Sequence, residues 1–147
     1  MGNTYSFIDV SASIVGPGGA FDLGYGSGNA EEGISVSMTG DKNVMTTGAD
    51  GSVMHSLRAD KSGMVTIKLL KTSPTNAKLQ TMYNVQSLSS AMWGNNIISI
   101  TQNVSGDKTM CTTCAFVRQP DNGYAANGDI VEWRFHAGQI DVIRGTY

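Results

Sequence analysis

The residues of this chain best suited to metal or redox chemistry are two cysteines and two histidines. Cys111 and Cys114 form a C-x-x-C motif inside a strand-like run. Positions i and i+3 of a strand point to opposite faces, so the two thiols are expected to diverge. A zinc site would also need His55 and His136, and their spacing matches no zinc finger or ribbon. The sequence predicts two buried, reduced cysteines, with no metal site and no cofactor.

Catalytic motifs are equally weak. Serines, histidines and aspartates are numerous, but no G-x-S-x-G motif orders a nucleophilic triad. Asp9, Glu31 and Glu32 form no glycosidase signature, and the glycine-rich residues 24–28 lack the lysine of a P-loop and lead into a strand. We predict no catalytic residue and no enzyme. A small β-sandwich hydrolase or ligand-binding module, recognisable as a monomer with a deep pocket, is the alternative from another class.

Length and charge narrow the class of protein. The chain has 147 residues and a net charge of −2, which favours a single domain over residues 1–147. Only 15% of the residues are charged, against about 25% in an average domain, which indicates a surface partly covered by other copies. No basic run and no apolar segment of membrane-spanning length is present. We therefore expect no tight binding to duplex DNA, no stable membrane association and synthesis inside the cell.

Alternation of apolar and polar residues indicates several strands. The predicted strands cover residues 5–15, 34–39, 64–70, 96–102, 109–118 and 130–137, with a short closing segment at 140–143. The glycine-rich residues 16–33 are predicted to be neither helix nor strand. Where a free sheet would carry Lys and Glu, several of these strands carry Ser and Thr. Strand edges without charged residues can pair with another chain, so the sequence predicts a β domain that associates.

Two further elements are predicted within the chain. Residues 40–63 contain two strand-like runs around a GADG turn, which favours a hairpin that projects as an arm. Ser73 is suited to cap a helix and Pro74 to begin it, and an apolar stripe follows at Leu79, Met82 and Tyr83, so a helix is predicted at 73–90. About eight strands and one helix predict a mainly β fold, an antiparallel β-sandwich or barrel with one flanking α-helix.

Four segments in order carry a family resemblance. They are GISVSMTGDKNVMTTGADGSVMHSL (33–57), VTIKLLKTSPTNAKLQTMYNVQ (65–86), WGNNIISI (93–100) and AFVRQPDNGYAANGDIVEWRFHAGQIDVIRG (115–145). Together they resemble the tail tube proteins of contractile-tailed bacteriophages over almost the whole chain. The pair of Cys111 and Cys114 departs from that pattern and affects only one strand.

The resemblance implies a virion structural protein. In such proteins six copies form a ring whose inner sheets join into a β-barrel, and rings stack into a tube through which DNA passes without stable, specific binding. The implied partners are other copies of this chain and the sheath, tape-measure, baseplate and tail terminator proteins. The implied location is the virion tail, with assembly in the host bacterial cytoplasm. A tube of a phage-derived injection or secretion machine, which conducts proteins or ions, is the alternative within the same class.

Two sets of residues are candidates for assembly and conduction. Affinity for phosphates grows with each cation that displaces counterions, so a conducting wall should carry small hydroxyls or acids. Ser35, Ser37 and Thr39 alternate with apolar residues and are expected to face the lumen. The arm at 40–63 is expected to form inter-ring or inter-subunit contacts through charges of both signs: Asp41, Lys42, Asp50, Arg58, Asp60 and Lys61.

Overall fold

Nine strands and one helix form in residues 3–6, 9–23, 29–128 and 130–146, the part of the chain that the computed structural model describes. In chain order they are β1 (Val10–Gly16), β2 (Gly19–Asp22), β3 (Asn29–Met38), β4 (Asn43–Thr47), β5 (Val53–Leu57), β6 (Gly63–Leu70), α1 (Thr75–Gln86), β7 (Asn96–Gln102), β8 (Lys108–Phe116) and β9 (Ile130–Ile143).

Seven of the strands form one antiparallel sheet in the order β2-β1-β7-β8-β9-β6-β3. The other two, β4 and β5, pair only with each other and form a separate hairpin. The predicted fold class, mainly β and antiparallel with one helix, is confirmed. The large sheet is continuous, and β2 and β3 are its two edge strands.

One face of the large sheet, here called the core face, packs against α1. Cross-strand neighbours on this face include Val65 with Phe135 and Ile14 with Ile98, and all four side chains are fully buried. Helix α1 contributes Leu79 and Met82, also fully buried, to the same core cluster. Aromatic rings fill the space between sheet and helix, and centroid distances from Phe116 are 5.4 Å to Tyr83, 5.9 Å to Trp133 and 4.6 Å to Phe135. The burial of these rings fixes which face of the sheet is left for other contacts.

The start of α1 follows from its capping residues, but the helix ends earlier than predicted. Pro74 already has helical torsion angles, and the Ser73 hydroxyl accepts a hydrogen bond from the Thr75 amide at 3.3 Å. The helix ends at Gln86, whereas residue 90 was predicted. Beyond it, the Ser87 hydroxyl donates to the Asn84 carbonyl and the Ser89 hydroxyl accepts from the Ala91 amide. These local bonds compete with the helical pattern and favour a turn.

The prediction that residues 16–33 contain no strand is wrong. Gly16 pairs with Gly19, so Pro17 and Gly18 alone form the turn between β1 and β2. Proline at the second position and a glycine with φ of +97° at the third suit a tight turn. Strand β3 then begins at Asn29, five residues before the predicted start. Other bounds differ too: β1 begins at Val10, β8 ends at Phe116 instead of residue 118, and β9 is one strand through residues 130–143.

The predicted divergence of the two thiols is also wrong. Thr113 adopts a φ of 55°, and the alternation of β8 breaks there, so Cys111 and Cys114 are both fully buried. Gly138 of β9 lies against Thr113, where an added Cβ would come within 3.0 Å of the Thr113 Cβ. Burial raises the pKa of Cys111 to about 11 and that of Cys114 to about 12. Both are free cysteines, as predicted.

A buried pair of amides ties the helix to the sheet. The Gln86 side chain donates to the Asn96 Oδ1 at 2.6 Å, and the Asn96 Nδ2 donates back to the Gln86 Oε1 at 2.9 Å. Each amide makes one more bond, Gln86 to the Pro17 carbonyl and Asn96 to the Cys114 carbonyl. Helix α1, the β1–β2 turn and two central strands therefore meet at one hydrogen-bonded point.

We expect Asn96→Ala to lower the free energy of unfolding by about 3 kcal/mol, because the buried Gln86 Oε1 and the Cys114 carbonyl lose the bonds that Asn96 donates. Urea denaturation followed by circular dichroism measures the change. Asn95→Ala is the matched control, since the neighbouring Asn95 is exposed and bonds only locally to the Ala91 carbonyl. Equal stability of the two variants would contradict the role assigned to the amide pair.

Candidate assembly surfaces

The second face of the large sheet is rich in hydroxyl groups and is here called the polar sheet face. Residues that alternate with the buried positions lie on it, and cross-strand register aligns them. Ser37 lies beside Met64, Ser35 beside Thr66, Ser13 beside Ser99, and Ser11 beside Thr101. The polar residues of this face include Ser11, Ser13, Ser35, Ser37, Thr66, Lys68, Ser99, Thr101, Lys108, Glu132, Arg134, His136 and Asp141. The apolar residues Val15, Met64, Ile97 and Met110 lie on the same face.

Two of the three predicted lumen residues belong to this face. Ser35 and Ser37 are exposed in β3, while Ile34 and Val36 turn to the core face. Thr39 follows the last residue of β3, and its hydroxyl accepts a hydrogen bond from Ser62 at 3.3 Å. The prediction missed the serines and threonines of β1 and β7 as parts of the same face. Their alternation is visible in the sequence, but only the pairing of β1 with β7 aligns them.

Acids lie beside cations on the polar sheet face. The Glu132 carboxylate accepts from Arg134 at 2.8 Å, and Lys68 is directly opposite Glu132 in the neighbouring strand. Asp141 pairs with Lys61 at 3.3 Å, and hydrogen bonds from Gln139 and Lys61 hold the pKa of Asp141 below its ordinary value. Arg134 and Lys61 are therefore each paired with a carboxylate of the same chain.

Both edges of the large sheet present backbone groups that can pair with another chain. The Thr39 amide donates to the Ser62 carbonyl, which extends the register of β3 with β6. Because bonding alternates along an antiparallel pair, the amides of Ser35 and Ser37 also point to β6, and those of Val36 and Met38 point to the open edge. By the same argument from the bond of Leu23 to Ala12, the amides of Ala20 and Asp22 in β2 point outward.

The hairpin of β4 and β5, here called the arm, lies apart from the core. All ten strand residues of the arm are exposed. Register places Met45, Val53 and Leu57 on one of its faces, with exposed fractions of 59%, 50% and 82%. His55 on this face bonds to the Asn43 side chain at 3.1 Å. Apolar side chains exposed on this hairpin are available for contact with another chain.

The six charged residues predicted for inter-ring contacts divide between the tip and the base of the arm. Asp50 is at the tip, where its carboxylate accepts from the Ser52 hydroxyl at 2.6 Å and from the Ser52 amide at 3.0 Å. These bonds hold the pKa of Asp50 below its ordinary value. The other five lie at the base, where the Arg58 amide donates to the Lys42 carbonyl and Lys61 bonds to β9: Asp41, Lys42, Arg58, Asp60 and Lys61. Asp60 accepts from the hydroxyl and amide of Ser62, which lowers its pKa as well.

In the described part of the chain, side chains that could ligate a metal do not cluster. Within it, no three His, Cys, Asp or Glu side chains come together where a metal ion could bind. No helix among the described residues is long and apolar enough to span a membrane. The described surfaces that could contact other chains include the polar sheet face, the open edges and the arm.

Comparison with known proteins identifies the fold and the family. Among solved structures, the chain is similar to a chain in the PVC sheath–tube complex of an extracellular contractile injection system, with 12% identity and a TM-score of 0.63 over 96% of this chain and 92% of that chain. A chain in the PVC sheath/tube terminator is 11% identical, with a TM-score of 0.61 over 97% of this chain and 98% of that chain. A chain in the baseplate of the anti-feeding prophage is 11% identical, with a TM-score of 0.54 over 97% of each chain.

At these identities the structural likeness shows the fold alone. Comparison with curated protein sequences gives no match. The family profile described as Bacteriophage PhiTE tail tube protein matches residues 2–145. With a family match over nearly the whole chain and a fold shared with chains of contractile injection systems, this chain belongs to the PhiTE tail tube protein family and is a structural protein of the phage tail tube.

Proposed function

We propose that six copies of this protein form a ring, that rings stack into the inner tube of a contractile tail, and that the genome passes through the lumen into the bacterial host. The observation that carries the proposal is the sheet itself, which has two open edges and a polar face without helical cover. A sheet of this kind completes its hydrogen bonding only when another chain meets its edges.

Ring closure is proposed to occur by pairing of strand edges. The outward amides of β3 lie at one end of the strand order and those of β2 at the other. Contact between β3 of one copy and β2 of the next would join the sheets without consuming any bond inside a subunit. Such a head-to-tail contact between different surfaces closes into a ring when the rotation per copy permits it.

The polar sheet face is proposed to line the lumen. Small hydroxyls such as Ser35 and Ser37 offer phosphates no fixed cation, and Arg134 is already bound by Glu132. Each cation that remains free to displace counterions would add to the affinity for DNA and slow its passage. A wall rich in hydroxyls, with Arg134 paired to a carboxylate of its own chain, would guide DNA without retaining it. Thr39 would continue this wall beyond the end of β3.

The arm is proposed to connect stacked rings. Its charged base carries both signs, at Asp41, Lys42, Arg58, Asp60 and Lys61, and Asp50 lies at the tip. Contacts that are individually modest become strong when they are repeated around each ring. We further propose that the protein has no enzymatic activity, that it assembles in the host cytoplasm, and that the completed tube meets sheath, tape-measure, baseplate and terminator proteins.

Electron microscopy of the purified protein, alone and with its natural nucleating complex, tests the proposed function. Hollow fibres built of stacked six-fold rings are expected. A protein that stays monomeric in both conditions would contradict the proposal and would favour a small binding module instead.

Met38→Pro should block ring closure and leave the subunit folded. The Met38 amide faces the open edge, its side chain is half exposed, and proline removes only that outward donor. We expect the free energy of unfolding to change by about 1 kcal/mol or less. Ring formation, followed by analytical ultracentrifugation, should be lost.

Two variants control for this result. Met38→Ala shortens the same side chain and keeps the amide, so rings should form. Ser37→Pro removes a bond to β6 and should destabilise the subunit itself. Rings of normal size from Met38→Pro would contradict pairing through the β3 edge.

Deletion of residues 47–53 should prevent tube growth without unfolding the subunit. The deletion removes the tip of the arm, and none of the buried core residues lies within it. Thermal unfolding should match that of the intact chain to within about 1 kcal/mol in stability, while fibres are absent from micrographs. Fibres of ordinary length from this variant would refute the role of the arm in stacking.

A further inference from the structure

The arm and a cleft between α1 and a long loop lie at opposite ends of the large sheet. Strand β3 runs to Met38 and β6 begins at Gly63, paired with it, so the arm leaves the sheet at this end. Strand β6 ends at Leu70, opposite the first residue of β9. The turn into α1 and the loop between β8 and β9 therefore lie at the other end.

The cleft consists of two adjoining cavities of about 590 and 330 Å³. Lys71 lines both of them, and Asn76, Gln80 and Val131 contribute to the walls. The loop over the cleft, residues 119–128, is almost entirely exposed, and the ring of Tyr124 is 88% exposed. Lys71 contacts this loop in two ways. Its ammonium donates to the Gly123 carbonyl and lies 4.3 Å from the centre of the Tyr124 ring.

The arm matches this cleft in charge. Asp50 is the one ionised residue between positions 43 and 57. Its Oδ1 accepts both bonds from Ser52, so the turn holds the carboxylate at the tip. In the cleft, Lys71 lines both cavities and is the one charged residue at the smaller cavity, whereas Asp121 also lines the larger cavity. The arm also carries the exposed apolar side chains of Met45 and Val53, which a walled cleft can cover.

We propose that the arm of one copy docks into the cleft of a copy in the next ring, with the Asp50 carboxylate bound to the Lys71 ammonium. This inference rests on the proposed function and adds the acceptor site for the arm. Donor and acceptor lie at opposite ends of one molecule, so the contact is head-to-tail and repeats without limit. Docking would exchange the contacts that Lys71 makes with the loop for a charge-assisted bond from another subunit.

A charge exchange tests the docking. Asp50→Lys and Lys71→Asp, each alone, should raise the protein concentration needed for tube growth by about tenfold or more, because each contact recurs around the ring. The double variant Asp50→Lys/Lys71→Asp restores opposite charges and should grow tubes near the concentration of the unaltered protein. Growth is measured by sedimentation and electron microscopy, on the nucleating complex if the protein alone does not polymerise.

Matched variants separate charge from folding. Arg144→Asp reverses an exposed cation that follows β9, outside the cleft, and should grow tubes normally. Asp50→Asn keeps an oxygen for Ser52 and removes the charge, so it should weaken tube growth. This variant tests the docking even where Lys71→Asp fails to fold. Two results would overturn the docking and leave the tube function intact. The first is that the single variants grow tubes at the same concentration as the unaltered protein. The second is that the double variant needs as high a concentration as the single variants. Absence of tubes from the unaltered protein would instead overturn the function.

A cysteine pair gives an independent measurement. Ala49→Cys at the arm tip and Asn122→Cys in the loop should form disulfides between subunits when assembled tubes are oxidised. The two natural cysteines are fully buried and should not interfere. A ladder of linked chains is expected from the double variant and none from Ala49→Cys alone. Intact tubes of the double variant that yield no linked chains would overturn the proposal.

Discussion

The unpaired backbone at the two edges of the large sheet is the constraint on which the rest of the structure depends. Seven strands satisfy one another in the interior, but alternate amides of β2 and β3 point away from the subunit. Neither edge places charged side chains along its whole length to discourage pairing. An isolated subunit must hydrate these groups, whereas the proposed closed ring would pair them. Association would thus complete the hydrogen bonding of the sheet.

The two faces of the large sheet have different roles: one packs the core and the other carries polar side chains. The core face holds Trp133, Phe135 and the helix, and the amide pair of Gln86 and Asn96 fixes the helix in place. The polar sheet face does not pack against the helix, so it can carry hydroxyls and charged side chains. A break at Thr113 and Gly138 lets β8 and β9 change the parity of their buried positions. Bulges of this kind commonly bend strands where a sheet must adapt its shape.

Local signals in the sequence sufficed for most elements. The patterns at 64–70 and 96–102 predicted β6 and β7, and the turn around Asp50 predicted the hairpin of β4 and β5. Strand β2 was not predicted, because Gly16, Pro17, Gly18 and Gly19 resemble a flexible loop until a pairing partner is known. The common burial of Cys111 and Cys114 depends on a left-handed torsion angle at Thr113, and threonine rarely adopts one.

The assembly surfaces were only partly predictable, because parts of them depend on pairing between strands that are far apart in the sequence. Ser35, Ser37 and the charges of the arm are visible in one stretch of sequence. The full polar sheet face and the cleft at Lys71 require non-local pairing, of β1 with β7 and of β6 with β9. Sequence order gives no direct indication of these neighbours, because such pairing depends on the fold of the whole chain.

Amide hydrogen exchange in β3 tests the central claim most directly. In the unassembled subunit, the outward amides of Val36 and Met38 should exchange faster than the inward amides of Ser35 and Ser37. In the assembled tube, all four should be protected, because the outward pair would then bond to a neighbouring strand. Val36 and Met38 amides that exchange equally fast in subunit and tube would contradict the account.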